Sequence, residues 1–218
     1  MTAFQAVLFD LDGTLLDTLD DLAQAANQVL VNHGLPVHPT EAYRYFVGDG
    51  LGVLMERIVP AELRQPALLN RMADDFRRIY GRTWQVHSRP YSGIDPMLTA
   101  LAERGLRLAV LSNKPHEFTR LCVGHLLAGH CFDTVLGQRE GVAKKPDPAG
   151  ALEVVHSLSL VPEQFLYLGD TAVDMETARR AGMCAVGVLW GFRDEAELRD
   201  AGAEHILHTP MEVINLLA

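Results

Sequence analysis

Along most of the chain, short unbroken apolar runs alternate with segments whose apolar residues recur at three- and four-residue steps. The unbroken runs are Ala6-Val7-Leu8-Phe9, Leu106 to Leu111, Thr134 to Leu136, Phe165 to Leu168 and Ala185 to Leu189. A run that is apolar at nearly every position, rather than at every second one, suits a strand covered on both faces. Between these runs, Pro96 to Arg104, Pro115 to Ala128, Pro148 to Leu158 and Ala172 to Ala181 carry helical spacing, as at Met97, Leu98 and Leu101. Gly105 and Gly182 stand where a glycine closes a helix.

Strands buried on both sides and separated by helices predict an α/β fold, a Rossmann-like parallel sheet core. The alternation breaks between Asp17 and about Val86. There Leu19, Leu22, Ala26, Val29 and Leu30 line one helical face, and Gly34 with Pro36 ends it. Leu51, Leu54, Met55 and Ile58 form a second stripe closed by Pro60, and Leu69, Met72, Phe76, Ile79 and Tyr80 form a third. We read residues 17–86 as a helical domain inserted into a core made of residues 1–16 and 87–218.

The bulk composition narrows the class. The chain has 218 residues, 48% hydrophobic and 22% charged, an ordinary globular balance. A net charge of −9 argues against a nucleic-acid surface, so attraction to an anionic substrate must come from local groups or a bound metal. Three cysteines form no even-numbered disulfide framework. Asp10 and Asp12 interrupt the only early apolar run, so neither a signal peptide nor a membrane span is expected, and a cytoplasmic location is.

Those two acids are the first candidate chemistry. In open parallel sheets ligands bind beyond the carboxyl ends of the strands. The first apolar run ends in Asp10-Leu11-Asp12-Gly13-Thr14, the second in Ser112-Asn113 with Lys114, and the fourth in Gly169-Asp170-Thr171 with Asp174 one turn later. Lys144 and Lys145 precede Pro146 on a further loop. This set suits phosphoryl transfer. Asp10 can attack phosphorus and form an acyl phosphate, and Asp12 can protonate the leaving oxygen and later deprotonate water. Asp10, Asp170 and a backbone carbonyl suit Mg²⁺. Ser112, Asn113, Lys145 and the backbone at Gly13 and Thr14 can hold phosphoryl oxygens.

DLDGT followed by Asp17, Ser112 in LSNK, Lys145 in KKPDP and GDTAVDM from Gly169 to Met175 resemble the four motifs of the haloacid dehalogenase superfamily, in order and over essentially the whole chain. The resemblance implies Asp10 as nucleophile, Asp12 as acid/base, and Mg²⁺ held by Asp10, the Asp12 carbonyl and Asp170, with Asp174 in support. It makes Lys145, directly before Pro-Asp-Pro, the motif lysine, and the helical insert a C1 cap. The stretch YRYFVGDGLGVLMER and the later GVLWGF are similar to bacterial phosphoglycolate phosphatases and their close hydrolase relatives. The implied activity is a Mg²⁺-dependent phosphomonoesterase acting on a small phosphorylated metabolite, 2-phosphoglycolate favoured.

Within the insert, Gly48-Asp49-Gly50 reads either as a plain turn or as a loop that touches substrate, flanked by Arg44 and Arg57, which could reach a second anionic group. Ser112 doubles as a candidate N-cap of the following helix. Trp190 and Phe192 are read as packing residues, and Cys122, His125, His130 and Cys131 match no familiar zinc spacing. A β-phosphoglucomutase-like phosphomutase is the nearest alternative. A phosphoaccepting signalling receiver fits poorly, because the acid pair stands at the chain start and a large insert follows it. Asp12 argues against a dehalogenase, and the absence of lysine before Arg104 against a phosphonatase. Monomer and homodimer stay equally open.

Overall fold

The structure, a computed structural model, describes residues 4–217. In chain order its elements are β1 (Ala6–Phe9), β2 (Leu16–Asp17), α1 (Leu19–Asn32), α2 (Tyr43–Phe46), α3 (Leu51–Ile58), α4 (Pro66–Thr83), β3 (Arg89–Pro90), α5 (Ile94–Glu103), β4 (Arg107–Pro115), α6 (His116–Leu126), β5 (Thr134–Gln138), α7 (Ala149–Leu158), β6 (Phe165–Gly169), α8 (Ala172–Ala181), β7 (Cys184–Val188), α9 (Glu195–Asp200) and β8 (His205–Leu207). Among the described residues, six parallel strands form one sheet in the order β5-β4-β1-β6-β7-β8. No helix among them is long and apolar enough to cross a membrane.

The unbroken apolar runs do face two ways. Val7 and Phe9 of β1, Leu108 and Val110 of β4, and Leu166 and Leu168 of β6 pack with Met97, Leu98 and Leu101 of α5 and Phe118 and Cys122 of α6. The alternate residues, Ala6, Leu8, Ala109, Leu111, Phe165 and Tyr167, pack on the other face against Val154 of α7, Met175 and Ala178 of α8 and Leu198 of α9. Strand side chains alternate between faces, so a central strand in this three-layer arrangement must be apolar throughout.

Several elements lie outside the sequence expectations. The second strand does not stop at Leu111 but runs through Ser112, Asn113 and Lys114 to Pro115, with its pairing to β5 shifting register after Leu111. The polar residues at its end are buried and satisfied by hydrogen bonds, so the apolar signal ends before the strand does. The next helix accordingly starts at His116, and Ser112 is not its N-cap. The short edge strand β8, helix α9 and the β2–β3 pair carry too few apolar residues to show a period.

The helical insert packs α1 against α4 and α3 against α4, burying Leu22, Ala26, Val29, Leu54, Met55, Met72, Phe76 and Tyr80. Its two connections to the core run side by side: β2 pairs antiparallel with β3 through Leu16–Pro90 and Asp17–Arg89. Just beyond, the buried Asp21 carboxylate of α1 accepts hydrogen bonds from His87 N, from Ser88 N at 2.8 Å and from Ser88 Oγ at 2.7 Å. One acid thereby ties the outgoing helix to the returning strand. Asp21→Ala should lower unfolding stability by about 3 kcal/mol, because charge-assisted bonds are lost and buried donors are left unpaired. Asp21→Asn should recover part of that loss in urea titrations.

Candidate active site

The carboxyl ends of β1, β4 and β6 place their polar residues around one point. Asp10 N donates to Leu168 O at 2.9 Å, so Asp10 sits where β1 leaves the sheet. The turn that follows folds back on itself, with Leu15 N and Leu16 N both donating to Leu11 O. Gly13 in this turn has φ +92°, and a Cβ there would overlap the Asp170 carboxylate. A side chain at Gly191 would overlap Asp170 Cβ and the Gly13 carbonyl. Glycine is the residue that lets the backbone come this close.

Asp10, Asp170 and Asp174 are buried and bring carboxylate oxygens within 4.8 Å of one another. Lys145 Nζ lies among them, 2.7 Å from Asp10 Oδ1, 2.7 Å from Asp174 Oδ1 and 3.2 Å from Leu111 O. Asp170 accepts from Thr14 Oγ1 at 3.0 Å and Phe192 N at 2.9 Å, and Asp174 from Thr171 N and Oγ1 at 3.1 and 2.7 Å. Asp10 and Asp174 therefore share one ammonium, while Asp170 is held by the neutral donors Thr14 Oγ1 and Phe192 N. Burial, with Lys145 opposing and Asp174 assisting, pushes the Asp10 pKa up to about 7. Burial and the neighbouring acids Asp10 and Asp174 raise that of Asp170 well above the carboxylate range. Burial alone would lower the Lys145 pKa, but Asp10 and Asp174 outweigh it and raise it. Uncompensated negative charge on hard oxygen donors fits a divalent cation.

Asp12 is placed differently. Its Oδ1 accepts from Lys114 Nζ at 2.8 Å and Thr18 Oγ1 at 2.7 Å, which leaves its Oδ2 without either partner. Lys114 Nζ also donates to Tyr80 OH at 2.8 Å and lies 4.7 Å from the centre of that ring. Above these residues a cleft opens. Its floor is Asp10, Asp12, Ser112, Asn113 and Lys114, and its walls are largely apolar, with Leu22, Val47, Leu51, Leu54, Phe76 and Phe118.

The remaining candidate residues divide by location. Ser112 lines the cleft, its Oγ accepting from Lys114 N at 3.2 Å. The Thr14 hydroxyl, in contrast, is committed to Asp170 and fully buried. Asn113 spends its amide on Gly48 O, Lys145 O and Lys145 N, so it holds two loops together instead of facing a ligand with free donors. In the insert, Gly48 and Gly50 line the cleft. Asp49 turns away to Arg57 at 2.7 Å, Arg57 also holds Phe46 O, and Arg44 binds Glu41 and Gly191 O. Neither arginine lines the cleft, and nearer partners hold both. Trp190 donates to Thr14 O at 2.8 Å and Phe192 is buried, both as packing residues. Sequence reasoning placed Lys114 at the rim without a role and missed Tyr80 as its partner and Thr18 as a partner of Asp12. One signal was available: the chain has three lysines, Lys114, Lys144 and Lys145, and all three fall at this end of the sheet.

Residues 7–188 match the family described as haloacid dehalogenase-like hydrolase. The phosphoglycolate phosphatase of Aquifex aeolicus is 31% identical over 98% of this chain and 96% of its own length. That of Nitrosospira multiformis is 32% identical over 98% and 95%. The crystal structure of a predicted phosphoglycolate phosphatase from Haemophilus somnus superposes with a TM-score of 0.92 at 28% identity, covering 100% of both chains.

The charge imbalance sets a pH dependence. With its folded pKa raised from 3.8 to about 7, Asp10 binds a proton more tightly in the native state than in the unfolded one. Metal-free stability therefore falls as pH rises through that window, and the cost is complete above it. A divalent cation offsets the same charge without having to displace a proton at high pH. Millimolar Mg²⁺ should thus raise the melting temperature more at about pH 8 than at about pH 5, a difference thermal melts with and without chelator will read.

Proposed function

The chain belongs to the haloacid dehalogenase-like hydrolases, and from that premise we propose a Mg²⁺-dependent phosphomonoesterase whose favoured substrate is 2-phosphoglycolate. The observation that carries the reading is the convergence of Asp10, Lys145, Asp170 and Asp174 in one buried cluster, with Asp10 and Asp12 also on the floor of the cleft roofed by the helical insert. The relatives named phosphoglycolate phosphatase, matched over nearly their full length, support the substrate. The all-oxygen donor set of Asp10, Asp170 and Asp174 supports Mg²⁺ over a softer metal. Three free cysteines suit the reducing cytoplasm.

The residues divide the work as follows. Lys145 holds Asp10 Oδ1, which leaves Oδ2 to attack phosphorus. As the new Asp10–phosphorus bond forms, the ester bond breaks and the leaving oxygen takes a proton from Asp12. Lys114 and Thr18 both occupy Asp12 Oδ1, so Oδ2 carries that proton. In the second half Asp12 takes a proton from water, the water oxygen bonds phosphorus, and the Asp10–phosphorus bond breaks to release phosphate. Ser112 Oγ offers a hydrogen bond to a phosphoryl oxygen. A bound cation supplies positive charge that offsets the acids and the phosphoryl group together.

Residues 17–86 act as a lid on this cleft. The contacts that close it are Asn113 to Gly48 O, Lys144 to Asp49 O at 3.1 Å, and Arg193 to the carbonyls of Arg44 and Val47. The apolar walls favour a small leaving group over a hexose, whose hydroxyls would find few partners, and so disfavour the phosphomutase alternative.

A panel of phosphate esters assayed for phosphate release, with hexose-phosphate isomerisation measured in parallel, tests the activity; hydrolysis of 2-phosphoglycolate at rates no better than the rest would remove it as the substrate. Asp10→Asn should abolish turnover of every ester. Asp12→Asn should slow alkyl esters by roughly 100- to 10,000-fold, while an aryl ester, whose phenolate leaves without help, is affected less in the first step. A stoichiometric burst of phenol, with labelled phosphate retained on Asp10, is the expected signature. Equal slowing of both ester types with nothing trapped would rule out the acid/base role.

A further inference from the structure

Lys114 ends β4 with its side chain only 4% exposed, and among the described residues it is the cation that lines the cleft. Its ammonium carries three N–H donors. Two are directed at Asp12 Oδ1 and Tyr80 OH, each at 2.8 Å, and the third is left for a ligand. Asp12 comes from the turn after β1 and Tyr80 from α4 of the insert, so the ammonium is fixed from both sides of the cleft.

We propose that Lys114 binds a carboxylate on the leaving group, so that the cleft selects short phosphorylated acids whose second anion lies one methylene from the ester oxygen. The inference rests on the phosphatase reading above and gives it a specificity-determining residue. The proton for the leaving oxygen sits on Asp12 Oδ2, while Oδ1 of the same carboxylate is bound to Lys114. An ester oxygen seated on Oδ2 therefore has the Lys114 ammonium as its near neighbour. In 2-phosphoglycolate the carboxylate carbon is two covalent bonds from that oxygen, which puts it beside the free N–H. A longer acid carries its carboxylate past Lys114 towards Leu54, Phe76 and Phe118, which offer no donor. A neutral ester leaves the third N–H unpaired. Apolar surroundings strengthen such an ion pair relative to one in water. Arg44 and Arg57, the cations otherwise nearest to this role in the sequence, are bound to Glu41 and Asp49 outside the cleft.

Non-hydrolysable phosphonates separate this inference from the activity itself. Calorimetric binding to the Mg²⁺-loaded protein should follow the order 3-phosphonopropionate, isosteric with 2-phosphoglycolate, tighter than 4-phosphonobutyrate and tighter than propylphosphonate, which lacks the carboxylate. The first-to-last ratio should be about 10- to 100-fold, the range of one charge-assisted contact. In Lys114→Met that ratio should collapse towards unity, and the corresponding kcat/KM ratio of 2-phosphoglycolate over ethyl phosphate should fall with it, chiefly through KM. If the wild-type protein binds propylphosphonate as tightly as 3-phosphonopropionate, the proposal is overturned without recourse to any variant. A ratio in Lys114→Met equal to that of wild type overturns it too, and reduces Lys114 to a support for Asp12. Should 2-phosphoglycolate not be hydrolysed while the phosphonate preference and its loss in Lys114→Met are both seen, the substrate assignment fails and the carboxylate site stands.

Discussion

Three buried carboxylates with one ammonium between two of them are the constraint on which the rest of this molecule is arranged. Burial in an apolar sheet core disfavours charge strongly, and of Asp10, Asp170 and Asp174 the first and last pair with Lys145, while Asp170 is met by neutral donors. The surroundings are shaped to carry that load. The hydroxyls of Thr14 and Thr171 and the backbone N–H groups of Thr171 and Phe192 are spent on carboxylate oxygens. Gly13 and Gly191 let the backbone close over Asp170 where any Cβ would overlap it. A cluster built this way is satisfied in hydrogen bonds and short of positive charge, which is the electrostatic state that a divalent cation completes.

From this cluster the structure extends outward through two residues of β4. Asn113 joins the Lys145 backbone to the Gly48 carbonyl of the insert. Lys114 joins Asp12 to Tyr80 of α4. The strand continues past its last apolar residue because Ser112, Asn113 and Lys114 have these tasks, each buried and each bonded. The consequence is that the placement of the acids, of Asp12 and of the helical insert is set by neighbouring positions on one strand. At the other end of the insert, Asp21 binds the returning chain at His87 and Ser88, so the insert is tied to the core near its connections and again near the cleft.

Much of this was legible in the residues alone. The unbroken apolar runs identified five of the six sheet strands, since a strand covered on both faces admits no alternation, and the three helical stripes of the insert read correctly as the buried faces of α1, α3 and α4. The ends of those runs marked Asp10, Asp12, Ser112, Asp170 and Asp174, because polar residues directly after a buried strand must stand at its rim; Lys145, on a separate loop, was marked by its place before Pro-Asp-Pro. Strand β8 and helix α9 escaped notice because short elements at a sheet edge are half exposed and carry no period.

What sequence by itself determined, then, was the fold class, the position of the rim and the chemical types gathered there, all of which follow from local periodicity and from the order of residues along one strand. Tertiary structure alone decided which partners each of those residues takes. Arg44 and Arg57 look free in the chain and are bound to Glu41 and Asp49. Thr14 looks available and is spent on Asp170. Lys114, 102 positions from Asp12 and 34 from Tyr80, meets both at 2.8 Å. Hydrogen bonds and ion pairs are satisfied by whatever lies within about 3 Å in space, and separation along a chain carries no information about that distance once strands and helices have folded back on one another.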